Sequence, residues 1–502
     1  MVAPGFLAGC GPAASTSVKA PDSIAVTAGQ APEAGHFEMF GIDEAVLRKT
    51  LDKAMSRGGG YADLYFEHTV SNYVGLQDGE VNRAYSEIEL GCGVRVLKGD
   101  QTGFAYTQDL NPASLLAAAD TAAVVASGKA APLMESIVQS TAPSYYKTEV
   151  PWSQIGIEQK IPLLELSNKT AMAYDKRIIK VNIFLNDSTS CVLIANSEGS
   201  HIEDTRPMVS AWTSCVAEDG ERRESNGHSF GQRQGFEMCT EQRMIDLATT
   251  AAKRTTVLFE ATVPPAGELP VVLSPGLSGI LLHEAIGHGM EADFNRKGTS
   301  VFADRIGKPI APEFVTIVDD GTNFSERGSL NIDDEGIESQ RTMLVEKGIL
   351  ASYMHDRISA AHYKVKPTGN GRRESYRYPP VPRMRNTYMI NGPHKPDEVI
   401  KSVKKGIYAD TFSNGQVDIG AGDFSFYLKN GYLIEDGKMT RPIKDANLIG
   451  FGPKVLENIQ MVADDMALFS GTGMCGKDGQ SVPVGFGLPT IKCGGISIGG
   501  KE

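Results

Sequence analysis

Two imidazoles and a carboxylate fall within His283-Glu284-Ala285-Ile286-Gly287-His288. Such a set can hold a divalent metal and place a base beside it, the arrangement that metal-assisted hydrolysis uses. The spacing departs from H-E-x-x-H, whose histidines stand at i and i+4 on one helix face. Here they stand at i and i+5, about 140° apart on a regular helix. They can meet one metal only where the helix widens or ends. A π-bulge adds a residue to one turn and recurs at functional sites. Gly287 is the residue best able to tolerate such a distortion.

A catalytic metal needs a further protein donor, with one position left to water. Glu291 and Asp293 are near in sequence, and Cys475 lies farther on in the glycine-rich stretch 471–480. Lys477, two residues beyond the cysteine, would favour its thiolate. The same stretch nearly matches a P-loop in Gly471-x-x-x-x-Gly476-Lys477, but Asp478 stands where Ser or Thr should meet magnesium, which excludes nucleotide binding.

The elements that must position these groups can be read from periodicity. Pro270–Leu273 is an apolar, β-branched strand, and Ser274 and Pro275 fit an N-cap and first helical position. That places His283 about two turns into an apolar helix. Upstream, the spacing predicts helices over 42–55, 110–126, 155–173 and 247–258. Strands are predicted over 61–70, 71–76, 88–97, 178–186, 190–196 and 208–217. Beyond the motif the chain is mostly β, with strands 342–345 and 349–354 flanking Glu-Lys-Gly. Strands 424–429 and 432–435 flank Asn430-Gly431, the strongest short hairpin signal, and Lys438 follows Asp436-Gly437. The fold class is α+β: a mixed α/β N-terminal region, then a large curved antiparallel sheet carrying the metal site. Four units are expected: a tail or tether over 1–36, an N-terminal α/β domain over 37–150, a middle α/β domain over 151–262, and a β-rich domain over 263–502.

Beyond the motif, residues 283–302 carry a longer distinctive block, followed by Val318-Asp-Asp-Gly-Thr322, Ile332-Asp-Asp-Glu-Gly336, Pro367–Ser375, Arg383–Tyr388, Gly415-Gln-Val-Asp418 and Cys475–Gly485. In these blocks the chain resembles the TldD/PmbA family of zinc metallopeptidases, in its metal-bearing branch. The resemblance covers about residues 38–500. It implies that His283 and His288 bind one Zn²⁺, that Cys475 completes the site, and that Glu284 is the general base. It also implies a TldE/PmbA-like partner subunit in a heterodimer, and unfolded peptides as substrates. Arg372 and Arg373 could hold a peptide carboxylate or a developing oxyanion, although a structural ion pair accounts for them as well. Tyr408, His355 and His362 are further candidates for the site. The competing readings are a non-catalytic peptide-binding subunit and an envelope-anchored scaffold.

The chain of 502 residues is long enough for two or three domains, and its formal charge of −12 comes with no basic run or zinc-finger spacing. Direct nucleic-acid binding is therefore not expected, because phosphate neutralisation needs clustered Lys and Arg. Seven scattered cysteines, at 10, 92, 191, 215, 239, 475 and 493, do not form a disulfide framework and suit a reducing, cytoplasmic location. No stretch approaches the length of a transmembrane helix. Leu7-Ala8-Gly9-Cys10 resembles a lipobox, so an envelope lipoprotein anchored through Cys10 is the alternative if the true start lies upstream.

Overall fold

The computed structural model describes residues 36–130 and 136–499. The lipobox-like Cys10 and the expected tail, up to residue 35, lie outside the described residues.

The N-terminal half is organised by one seven-stranded sheet. Its strands are β1 (Tyr61–Gln77), β2 (Glu80–Lys98), β3 (Gln101–Thr107), β4 (Val138–Ser140), β5 (Ile178–Asn196), β6 (Ser200–Asp219) and β7 (Arg222–Gln232). Their order is β3-β2-β1-β5-β6, with β4 and β7 both pairing with β6. The segments predicted as separate strands 61–70 and 71–76 are one strand, as are 178–186 and 190–196. No Gly or Pro interrupts 178–196, so nothing breaks the ladder there. Antiparallel pairing of β1 with β5, from Asp63↔Asn196 to Gln77↔Asn182, carries the sheet from the first predicted domain into the second.

Each half of this sheet has its own core. Helices α1 (Glu44–Met55) and α2 (Pro112–Ala123) contribute Leu47, Leu51, Leu115 and Ala119, which pack with Leu64, Phe66, Val94 and Leu193. Asp43 caps α1 by accepting a hydrogen bond from Val46 N at 2.8 Å, and Asn111 caps α2 from Ser114 N at 3.0 Å. Helices α3 (Ile157–Tyr174) and α4 (Glu241–Thr256) contribute Leu164, Met244, Leu247 and Ala251, which pack with Val181, Ile183, Val209 and Ala211.

The C-terminal region departs from a single curved sheet. A seven-stranded sheet contains Gly267–Leu273, Lys405–Val417, Asp423–Glu435, Lys438–Ile443, Ala446–Phe451, Ile459–Val462 and Ile491–Gly499. A six-stranded sheet contains Ile317–Asp320, Arg341–Glu346, Ile349–Leu350, Asn386–Met389, Ala467–Leu468 and Gly485–Leu488. Most pairs are antiparallel, and one pair in each sheet is parallel. The sheets share one core with the motif segment, in which Leu281, Leu282 and Ile286 meet Val271, Ile317, Phe426 and Phe486.

Two turn expectations separate here. Asp436-Gly437 makes the predicted turn, with positive φ of 50° and 74°. Asn430-Gly431 makes none, because Asp423–Glu435 runs straight through it as one bulged strand. Asn430 is buried, its Oδ1 accepts from Thr411 Oγ1 at 2.8 Å, and a Cβ at Gly431 would lie 2.5 Å from the Tyr408 carbonyl oxygen. The glycine is there for close approach of two strands, which the local sequence does not distinguish from a turn.

Candidate active site

The chain leaves strand Gly267–Leu273 through a tight turn rather than directly into a helix. Gly276 has φ +74°, and Ser274 Oγ is spent on Ser278 Oγ at 2.9 Å and the Asp410 carbonyl at 3.0 Å. Ser274 is therefore not the helix cap, and regular α-helix covers only Gly279–Leu282. A π-helical turn follows over His283–Gly287, in which His288 N donates to the His283 carbonyl. The added residue brings the rings together, with centroids 5.0 Å apart and planes at 81°. The expected distortion is present, but its glycine serves differently. Gly287 has ordinary helical φ of −57°, and a Cβ there would lie 2.1 Å from Met384 Sδ. Glycine is needed for packing, not for backbone freedom.

Cys475 arrives on the hairpin Met474–Lys477/Gln480–Pro483, where it lies opposite Val482. Asp478 and Gly479 form its tip with φ of 51° and 73°, a type I′ geometry. No helix follows this tip, so the near-P-loop has the wrong architecture as well as the wrong residue. Arg383 donates to the Cys475 carbonyl and fixes the strand. Cys475 Sγ lies 3.5 Å from His288 Nε2. Ligand atoms of His283, His288 and Cys475 all lie within 4.8 Å of one another, and all three residues are buried.

The surroundings bias these groups toward cation binding. Neither ring nitrogen of His283 has a hydrogen-bond partner among the described residues. An orphaned buried imidazole is costly unless something fills the gap. Burial would raise the Cys475 thiol, but the two imidazoles outweigh it and hold it well below its ordinary range. The thiolate is the form that ligates a metal. His288 Nδ1 lies 3.0 Å from Glu291 Oε2, which turns Nε2 toward Cys475. Burial would raise Glu291, but Lys477 and His288 bring it down to about 2. Glu291 and Asp293 are thus not the third ligand. Both are tied to Lys477 Nζ, at 3.1 and 2.7 Å, and Glu291 orients His288 from behind. Lys477 serves this carboxylate pair rather than the thiolate. A carboxylate three residues after a ligand histidine is the sequence signal for that role, since i and i+3 share a helix face.

Glu284 differs from the three donors in being partly exposed, with its carboxylate 3.8 Å from His288 Nε2. It lines a cleft of about 830 Å³ between the middle region and the C-terminal sheets. Trp212, Phe412, Phe469, Met474 and Phe486 form much of its wall. A carboxylate beside a buried donor set, opening onto a groove with apolar walls, is a layout that suits a metallohydrolase.

The other sequence candidates lie elsewhere. Arg372 donates to the Met384 carbonyl at 2.6 Å and the Pro483 carbonyl at 2.8 Å, and burial lowers its pKa to about 9. Arg373 pairs with Asp63 and lies over the Tyr65 ring. Both are consumed by structural contacts. Tyr408 packs against a small apolar cluster with Val272, Val399 and Ile434, outside the cleft. His355 is buried between Tyr353 and Tyr363, and burial lowers its pKa to about 4.

Comparison with known proteins agrees with this layout. Models of the PmbA/TldA metallopeptidase family match residues 62–126 (domain 1), 150–259 (central domain) and 266–500 (C-terminal domain). The chain is 43% identical over 470 residues to the metalloprotease TldD homolog of Haemophilus influenzae, covering 92% of this chain and 97% of that protein. It is 41% identical to the Buchnera aphidicola subsp. Acyrthosiphon pisum homolog, covering 90% and 95%. In fold it is similar to the crystal structure of TldE from Thermococcus kodakarensis, with TM-score 0.71, 17% identity, and 91% and 99% of the two chains covered. The chain, with its cluster of two histidines and a cysteine and its adjoining glutamate, belongs to the PmbA/TldD family of metallopeptidases.

Proposed function

We propose that this peptidase is zinc-dependent, that His283, His288 and Cys475 hold one Zn²⁺, and that Glu284 is its general base. The supporting observation is the convergence of three buried donors with both His283 nitrogens left without a protein partner. Two imidazoles and a thiolate form a borderline-soft set that suits Zn²⁺ and not the oxygen-seeking Mg²⁺ or Ca²⁺. When bound, zinc supplies Lewis acidity toward the scissile carbonyl and toward water. Glu284, on the cleft side, takes a proton from the attacking water on its carboxylate oxygen and delivers it to the leaving amine. Glu291 engages Nδ1–H of His288 and keeps Nε2 free as a donor.

The substrates are unfolded or extended peptides, which a groove can accept where a folded domain cannot enter. The chain works with a TldE-like partner subunit, as the family resemblance implies. The thiolate ligand calls for a reducing compartment, and six described cysteines are free, so a cytoplasmic location fits. No helix among the described residues is long and apolar enough to cross a membrane.

Metal analysis together with cleavage of an unstructured peptide, with and without the partner, tests this reading. Glu284→Gln should keep its zinc and lose about 10²–10⁴-fold in rate. His283→Ala should lose both metal and activity. Undiminished cleavage in both variants would overturn the mechanism.

A further inference from the structure

The cleft beside Glu284 also carries two cations that the hydrolytic step does not use. Arg254, in the last turn of α4, and Lys429, on strand Asp423–Glu435, both line it, together with His228 of β7. Neither cation forms an ion pair within 4.0 Å among the described residues. Arg254 Nη1 lies 2.9 Å from His228 Nδ1. Burial, then Arg254 and Arg243, push His228 down to about 4, so at neutral pH it is an uncharged acceptor that aims the guanidinium without neutralising it. The nearest acid that acts on Arg254 is Asp410, which lines the neighbouring cavity that Arg254 also borders.

Several buried guanidinium groups elsewhere are satisfied within the fold. Those of Arg95, Arg206 and Arg385 have carboxylates, and those of Arg372 and Arg383 are taken up by backbone carbonyls. A half-buried cation without a direct ion pair is held at a cost. The cost is offset when an anion arrives, and a guanidinium and an ammonium that line one cleft are suited to a carboxylate.

We propose that Arg254 and Lys429 form an anion subsite that receives a carboxylate of the peptide substrate and sets the enzyme's preference along the chain. The carboxylate is either the peptide's C-terminus or an Asp or Glu side chain. The proposal rests on the reading of this cleft as the peptide site.

Four unstructured peptides of one sequence test it on the full-length, zinc-loaded protein with its partner. One has neutral side chains and a free C-terminus, and one is the same peptide amidated. Two more are amidated, with a single Glu or Gln at matched positions. Binding is read by fluorescence anisotropy on Glu284→Gln, and kcat/KM on the unsubstituted enzyme. A preference of about ten-fold or more for the free C-terminus over the amide assigns the subsite to the terminal carboxylate. The same preference for Glu over Gln assigns it to side chains. Arg254→Gln with Lys429→Gln should bring the selectivity ratio close to one, which a purely structural role would not do. Should that double variant fail to fold, loss of the preference in the unsubstituted enzyme at high salt stands in its place. Equal binding and cleavage of all four peptides would overturn the subsite and leave the peptidase reading intact. Absence of cleavage of any peptide would overturn both.

Discussion

Two buried polar assemblies in this molecule differ in how their atoms are satisfied. One is the His283, His288 and Cys475 cluster. The other joins the N-terminal sheet to the C-terminal region. In it Arg95 donates to Asp63 and to Glu335 at 2.7 Å, Arg373 reaches Asp63 at 3.4 Å, and Arg206 holds Asp334 at 2.6 Å. In this second network no oxygen of Asp63, Asp334 or Glu335 is left without a partner. In the first, both nitrogens of His283 are left without one. The carboxylates of the second network are spent on arginines and leave no acceptor for a ligand, whereas the unpartnered imidazole nitrogens of the first can take up a cation. Residue type left Arg373 between substrate binding and a structural ion pair, and its pairing with Asp63 favours the second.

The contrast predicts opposite consequences for substitutions of similar size. His283→Ala should abolish stoichiometric zinc and peptidase activity, at a smaller cost to the stability of the metal-free chain than the loss of a fully paired buried acid. Asp63→Ala should leave Arg95 with Glu335 alone and take the ion-pair partner from buried Arg373, at a cost of about 3–5 kcal/mol, with zinc still bound by the folded fraction. Denaturant titration and metal analysis of the two variants check both halves. If Asp63→Ala emptied the metal site while His283→Ala melted the chain, the distinction would fail.

Glu291 belongs to both classes, being fully partnered on one oxygen while supporting a metal ligand. Glu291→Gln should weaken zinc binding about 10–100-fold, read by competition with a chelator. An unchanged affinity would move Glu291 to the side of Asp63 as a purely structural acid.

Legibility in the sequence follows the range of the interactions. The motif histidines, the need for a distorted turn between them and the adjoining carboxylate depend on neighbours in the chain, and the spacing carried them. The helices over 44–55 and 112–123 were readable for the same reason, since their caps and apolar stripes are local. Cys475 joins His288 across 187 residues, so spacing left it among several candidates and only the resemblance selected it. Asn430-Gly431 has the composition of a turn, but its backbone is claimed by Tyr408 on a distant strand. Arg254 and Lys429 come from different regions of the chain and meet only at the cleft, so no local pattern announces them.

The smallest predicted effect compares two buried glutamates whose environments push them in opposite directions. Glu291, beside Lys477 and His288, is brought down to about 2, whereas burial pushes Glu67 up to about 7. Glu67 is 5% exposed, and its oxygens accept only neutral donors, from Tyr376 N at 2.8 Å and Thr69 Oγ1 at 3.0 Å. Because the folded chain holds this proton more tightly than the unfolded one, Glu67 contributes its full stability below about pH 4.5, the unfolded value. That contribution is lost as pH rises to about 7, the folded value. Glu67→Gln removes the ionisation, so its stability relative to the parent should rise by about 1 kcal/mol between pH 5 and pH 6. Urea titrations at the two values measure the gap, and metal lost at low pH cancels because both proteins carry the same site. A gap that stays constant would mean that Glu67 is already ionised in the folded chain at pH 5, and that burial alone does not separate it from Glu291.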